Sequence, residues 1–306
     1  MEEISSSIYE VLTAYVPCED VLCNEPMCRH TTFRVGGEAQ CFIRISSREQ
    51  LMQVIPYLQQ VEMPFFILGN GSNLLIGDKG YAGVILQIGD KMNKVSVQGN
   101  MIIAQAGALL SQVARCAMEH SLTGLEFASG IPGTIGGGVV MNAGAYDGEM
   151  KQVVKQVTVL DKHGEILELS REDMEFGYRT SVIKNRPFIV LEVCLELVQG
   201  EEEKIALKMK ELAGKRKEKQ PLEYASAGST FKRPEGYFAG KLIMDAGLRG
   251  YSIGGARVSE KHCGFVINTG KATAADVAEV IKEVQERVKD RFGVELEPEV
   301  IFLGEF

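Results

Sequence analysis

Apolar positions change their spacing several times along the chain. Ile4, Ile8, Val11, Leu12 and Tyr15 recur every three or four residues, which predicts an amphipathic N-terminal helix, followed by an irregular stretch to about Pro26. CFIRI at 41–45 reads as a strand. Ser47 with Gln50 three positions later makes a capping box ahead of Leu51, Val54, Ile55 and Leu58, one face of a helix. FFIL at 65–68, GVILQI at 83–88, VSVQ at 95–98 and MIIAQAG at 101–107 read as strands, and Leu110, Val113, Ala114, Ala117 and Met118 mark a helix. QVTVLD and EILELS form a hairpin through Lys162-His163-Gly164, and 189–198 is a further strand.

The character changes at residues 201–221, a charged helix with almost no turn residues that reads as a joint between domains. Beyond a glycine-rich region at 225–256 come a short strand at 264–268, a helix from Thr273 and a last strand at 300–303. The helix carries Val277, Val280, Ile281, Val284, Val288 and Phe292 on one stripe. Meanders and hairpins mixed with helices predict an α+β fold rather than a doubly wound one. The expected division is a helical segment at 1–28, a unit at 29–200 in two lobes (about 29–90 and 91–200), and a unit at 201–306.

Composition narrows the function. The 306 residues are 45% hydrophobic and 24% charged with a formal charge of −8, a globular balance poorly suited to non-specific nucleic-acid binding. No apolar run approaches the ~18 residues that span a bilayer, and MEEISSSIYE is no signal peptide, so a cytoplasmic chain is expected. The seven cysteines contain no C-x-x-C pair, and His30, His120, His163 and His262 show no metal spacing. Reduced thiols and no metal are expected.

The 33 glycines concentrate in a few places. Gly69-Asn70-Gly71-Ser72-Asn73-Leu74 follows a strand directly, and successive N–H groups in such a turn form an anion-binding nest. It is neither a Rossmann fingerprint nor a P-loop, since Gly-Lys is never followed by Ser or Thr. A second stretch runs from Gly130-Ile131-Pro132-Gly133-Thr134-Ile135-Gly136-Gly137 through Asn142, Gly144 and Ala145, with apolar residues interleaved. A tight turn and a packed crossover are the plain readings of the two; together they point to a dinucleotide. Arg179 offers a fork for a carboxylate or phosphate, Ser229 lies between glycine and two cations, and Glu299 enters the final strand.

Read together, these segments resemble the UDP-N-acetylenolpyruvoylglucosamine reductases, the MurB flavoenzymes of bacterial peptidoglycan synthesis. The matching stretches are HTTFRVGG (30–37), LGNGSNLL (68–75), GLEFASGIPGTIGGGVVMNAGAYDGEM (124–150), FGYRTS (176–181), AGSTFKRP (227–234), GKLIMDAGLRGYSIGGARVSEKHCGFVIN (240–268) and LEPEV (296–300), in order along nearly the whole chain. The length is similar to the shorter class, which lacks an inserted loop in the substrate domain. The resemblance implies a two-lobed FAD-binding domain of the vanillyl-alcohol-oxidase (PCMH) type, then a substrate domain. It implies bound FAD, NADPH as co-substrate, and reduction of the enolpyruvyl ether of UDP-N-acetylglucosamine enolpyruvate to UDP-N-acetylmuramate. The two glycine segments, with Arg34 near them, would hold FAD. The family's catalytic positions fall on Arg179, Ser229 and Glu299, with Glu299 expected to be protonated and Ser229 expected to donate a proton. Tyr178, Lys232, Arg233 and Lys241 are the candidate substrate contacts. Two departures are Ile301, where the family commonly has a cation, and Cys263, where it often has alanine. A cytoplasmic monomer acting on small molecules is expected. Another flavoenzyme of this fold and a nucleotide-binding transferase without redox chemistry stand as alternatives.

Overall fold

The computed structural model describes residues 6–306. The first sheet has the order β1 (Val21–Pro26), β2 (Glu38–Ile45), β5 (Tyr81–Ile88), β3 (Phe65–Leu68). β1 is antiparallel to β2, but β2 and β3 both run parallel to β5, with Ile43 and Ile67 opposite Leu86. Near-continuous apolar runs in β2 and β5 fit strands buried on both faces. The stretch expected to be irregular is therefore partly a strand. Asn24, at φ +50°, breaks its alternation and hides it.

Helix α2 (Arg48–Gln60) links β2 to β3 and buries Leu51, Val54, Ile55 and Leu58. Ser47 caps it as expected, accepting from the N–H of Gln50, whereas the Gln50 side chain takes the N–H of Ser46. Helix α1 (Ser6–Tyr15) packs beside it through an edge-to-face contact of Tyr15 with Tyr57; Ile4 lies outside the described residues.

After β4 (Leu74–Ile76), the second sheet is antiparallel throughout. Its order is β12 (Ile166–Ser170), β11 (Val154–Leu160), β13 (Ile189–Glu196), β7 (Met101–Gln105), β6 (Val95–Gln98). Helix α3 (Leu110–Glu119) buries Leu110, Val113, Ala114 and Ala117. Two short pairs flank the sheet: β8 (Leu122–Thr123) with β14 (Val198–Gln199), and β9 (Gly144–Ala145) with β10 (Gly148–Glu149).

The charged helix α5 (Glu202–Lys219) buries only Ile205 and Leu212 and leads into the last unit. There α6 (Ala239–Asp245) and α7 (Ala274–Phe292) accompany a small sheet of β15 (Ser252–Ile253), β16 (Ala256–Val258) and β17 (Val266–Asn268). Thr273 and Asp276 close a full capping box on α7, and Gly293 ends it at φ +68°. Val277, Val280, Ile281, Val284 and Val288 are buried as the stripe predicts, but Phe292 is exposed in the last turn.

The last unit is fastened back onto the first. β18 (Ile301–Leu303) pairs in parallel with β4, Asp78 accepts from the N–H groups of Ala274 and Ala275 at the start of α7, and Phe33, Val35 and Leu75 enter the apolar core around α7. The pairing of β18 with β4 returns the chain's end to the early strands, which brings residues 296–300 to the glycine loop before β4.

Candidate active site

The turn at 176–181 carries Arg179. Gly177 and Thr180 exchange N–H···O bonds of 3.1 and 3.3 Å, and Arg179 between them sits at φ +55°, a conformation costing an ordinary residue roughly 1–2 kcal/mol. The surroundings hold it there: Asn142 Nδ2 donates to the Gly177 carbonyl at 3.0 Å and Ser181 Oγ to that of Val140 at 2.9 Å. Strain kept in this way is a mark of functional sites.

Ser229 and Glu299 are brought together by backbone. Residues 230–232 lie antiparallel to 297–299: Glu299 N donates to Thr230 O at 2.8 Å, and Lys232 N to Glu297 O at 2.9 Å. Thr230 is fully buried and also ties this strand to 264–266, donating from its N–H to Gly264 O and accepting at Oγ1 from Val266 N. Gly228, at φ +75°, turns the chain into this position, and Ser229 is exposed.

Arg179, Ser229 and Glu299 line one cavity of about 470 Å³. Arg179 Nε lies 2.8 Å from Glu299 Oε1, but its N–H is not aligned on that oxygen, so the two groups touch without a directed hydrogen bond. Burial pushes the Glu299 carboxyl above its ordinary pKa, against the opposing pull of Arg179, Lys232 and Lys184. Lys184 itself is pushed down, first by burial and then by Lys232.

Tyr178, Arg233 and Lys241 share the cavity. Tyr178 Oη accepts from Arg233 N at 3.0 Å, Arg233 stacks 4.0 Å over the Phe238 ring, and Lys241 pairs with Asp245 at 2.7 Å. Lys232 is turned to Glu297 instead and is not among the lining residues. Sequence reading did not single out Lys184, Arg249, Lys261 or His262. The last three line the cavity, and the signal was present in the run at 240–268. His262, its pKa lowered by burial, accepts at Nδ1 from Gly264 N.

The two glycine segments meet. Asn70 Nδ2 donates to Pro132 O at 2.6 Å, and a Cβ on Gly69 would come within 2.5 Å of Thr134 Oγ1. Among the described residues, the N–H groups of Asn70, Gly71, Ser72, Asn73, Gly133 and Thr134 donate to no protein acceptor. Thr32 Oγ1, whose own N–H donates to Gly71 O, is buried without a partner. Adjacent loops rich in unpaired donors fit the diphosphate of a dinucleotide. The second segment differs from its sequence reading, because Ile135–Val140 is a helix, α4, capped by Thr134. Gly136 is buried, with space for no Cβ beside Ala106 (2.8 Å), and Gly138 lies against Leu110, so these two seat the helix on protein. Gly130, Pro132 and Gly137 are exposed, Ile131 and Asn142 pack inward, and Gly144 with Ala145 forms β9. Arg34 is exposed at φ +56°.

Residues 39–170 match the FAD binding domain family, and residues 220–303 match the C-terminal domain of UDP-N-acetylenolpyruvoylglucosamine reductase. With the sheets and loops above, this defines an FAD-dependent oxidoreductase of the PCMH type. A UDP-N-acetylenolpyruvoylglucosamine reductase of Caldanaerobacter subterraneus is 57% identical over 92% of this chain and 93% of its own, and one of Clostridium perfringens is 51% identical over 97% of each. The crystal structure of the Thermus caldophilus enzyme superposes with TM-score 0.79 and 34% identity, covering 92% of this chain and 98% of that one. The glucose dehydrogenase Phl p 4.0202, at TM-score 0.50 and 13% identity over 63% of this chain and 44% of its own, shares the fold alone. The chain belongs to the UDP-N-acetylenolpyruvoylglucosamine reductase family.

Proposed function

We propose that Arg179, Ser229 and Glu299 carry the charge and proton chemistry of this reductase. In this reading residues 29–200 hold FAD through the two glycine segments, residues 201–306 hold most of the substrate, and residues 6–28 brace the first sheet. The reaction is reduction of the enolpyruvyl ether of UDP-N-acetylglucosamine enolpyruvate, with FAD as cofactor and NADPH as co-substrate. The chemistry that FAD supplies when bound is hydride transfer, from NADPH to the terminal carbon of the enolpyruvyl group in two half-reactions. The protein must then stabilise negative charge developing at the carbon beside the substrate carboxylate.

Arg179 supplies a permanent cation there. Glu299 acts in its neutral form, since an ionised carboxylate would repel the developing charge; the upward pull of burial favours that form. Ser229, exposed on the cavity wall, delivers the proton that completes the lactyl ether. Arg233 and Lys241 are placed to meet the diphosphate of the substrate and Tyr178 to pack on it, while Lys232 acts at longer range on Glu299. The observation that carries the reading is the convergence of Arg179, Ser229 and Glu299, from three separate segments, on one cavity.

The test is anaerobic. The purified protein should be yellow, NADPH should bleach it, and the UDP-linked enolpyruvyl sugar should then restore the colour. Bleached protein that stays bleached would exclude this substrate. We further read the protein as a cytoplasmic monomer without nucleic-acid partners. No disulfide joins any of its seven cysteines, and none of the described helices is long and apolar enough to cross a membrane. Light scattering at a dimer's mass would overturn the monomer.

A further inference from the structure

Arg216, on α5, is half-buried, and among the described residues no carboxylate pairs with it. Its Nε and Nη1 are sealed from solvent and meet no acceptor. The guanidinium is lodged between the Tyr146 ring, 5.8 Å from its Cζ, and the bare backbone of Gly130, where a Cβ would come within 2.1 Å of Nη1. The ion pairs along α5 join Lys204 to Glu201 and both Lys208 and Lys215 to Glu211, and Arg216 takes part in none of them. Burial lowers its pKa, with Tyr146 opposing. A charge withdrawn from water without a counter-ion is costly, and the arrangement makes sense once an anion arrives.

The position says which anion. Gly130 opens the second glycine segment, two residues before Pro132, whose carbonyl takes the Asn70 amide and joins the two loops. We propose that Arg216 is the counter-charge to the FAD diphosphate, holding a phosphate oxygen through Nη2 at the Gly130 end of the paired loops. The proposal rests on the flavoenzyme reading above. The diphosphate is the part of the dinucleotide that is anionic in both oxidation states, and a guanidinium–phosphate contact is a strong, charge-assisted one. The missing side chain at Gly130 is then what lets the guanidinium lie flat against the loop.

The test uses wild type, Arg216→Met and Arg216→Lys, each stripped of flavin, titrated with FAD and separately with riboflavin by flavin fluorescence, and melted without flavin. Arg216→Met should lose FAD affinity by about 10- to 100-fold, the range for a charged hydrogen bond. Its riboflavin affinity should be unchanged and its flavin-free melting temperature no lower than wild type. Arg216→Lys, which keeps the charge but not the fork, should fall between. Unchanged FAD affinity would overturn the proposal. So would equal losses for FAD and riboflavin, or a lowered flavin-free melting temperature in both variants, since these describe a wedge that only supports the loop. Wild type that takes up no flavin would overturn the flavoenzyme reading itself.

Discussion

The loops at 69–73 and 130–134 and the cluster at Arg179–Glu299 sit in one molecule but use different parts of the chain. In the loops, the groups left free are backbone N–H donors, and the side chains are mostly small or missing. In the cluster, backbone hydrogen bonds hold the segments and the side chains converge: a strained turn presents Arg179, and a pair of bridged strands presents Ser229 and Glu299. The difference teaches where each region is vulnerable. A site made of backbone is damaged by adding atoms, and a site made of side chains by exchanging one atom for another of the same size.

Ser229→Ala tests the second half most severely. It removes a single hydroxyl and should slow reoxidation of the reduced enzyme by substrate about 10²- to 10⁴-fold, with flavin reduction by NADPH intact in stopped flow. A parallel fall in both half-reactions would remove the proton-donor role. Glu299→Gln, isosteric, should slow the same step by at least ~10²-fold. In wild type that step should also depend on pH with a definite sign. Burial raises the Glu299 pKa, so the neutral acid persists where a free glutamate is ionised, and the rate falls as pH rises through the raised value. The stability that the buried neutral acid contributes follows the same course: complete below the unfolded pKa, lost as pH rises through the folded one. A wild-type reoxidation rate that climbs with pH would contradict the assignment.

Adding atoms tests the loops. Gly71 stands at φ +61° and a Cβ there would come within 1.9 Å of the His30 carbonyl oxygen. Gly71→Ala should cost at least about 2 kcal/mol in denaturant unfolding and yield protein largely free of flavin. Retention of full yellow colour would show that the first loop is not held by backbone approach. The smallest effect is expected at a glycine with neither task. Gly214, inside α5, has nothing within 4 Å of its would-be Cβ. Gly214→Ala should stabilise the protein by roughly 0.5–1 kcal/mol and leave flavin content unchanged.

How much was legible in the sequence depended on the range of the forces involved. The stripe and caps of α7, the hairpin of β11 and β12, and the charged helix α5 are local features and were readable. Helix α4 was not. Three glycines in IGGGVV oppose a helix by about 1 kcal/mol each, and it forms because Gly136 and Gly138 let it press onto Ala106 and Leu110. The glycine count there suggested a ligand loop, whereas part of it serves packing. The cavity cations Arg249 and Lys261 lie inside the matching run at 240–268, but their place on the cavity wall emerged only when β16, β17 and α6 were folded around them.

Composition, periodicity and motif order settled that this is a globular α+β chain with two glycine-dense segments and the residue types of its family. They did so because propensity, capping and apolar spacing act over a few residues. The meeting of Arg179 with Glu299, the seating of Ser229 beside the last strand, and the return of β18 to β4 were decided by tertiary structure alone. Such long-range pairings are fixed by the shared burial of three apolar cores, a free energy spread over the whole chain that no local window contains.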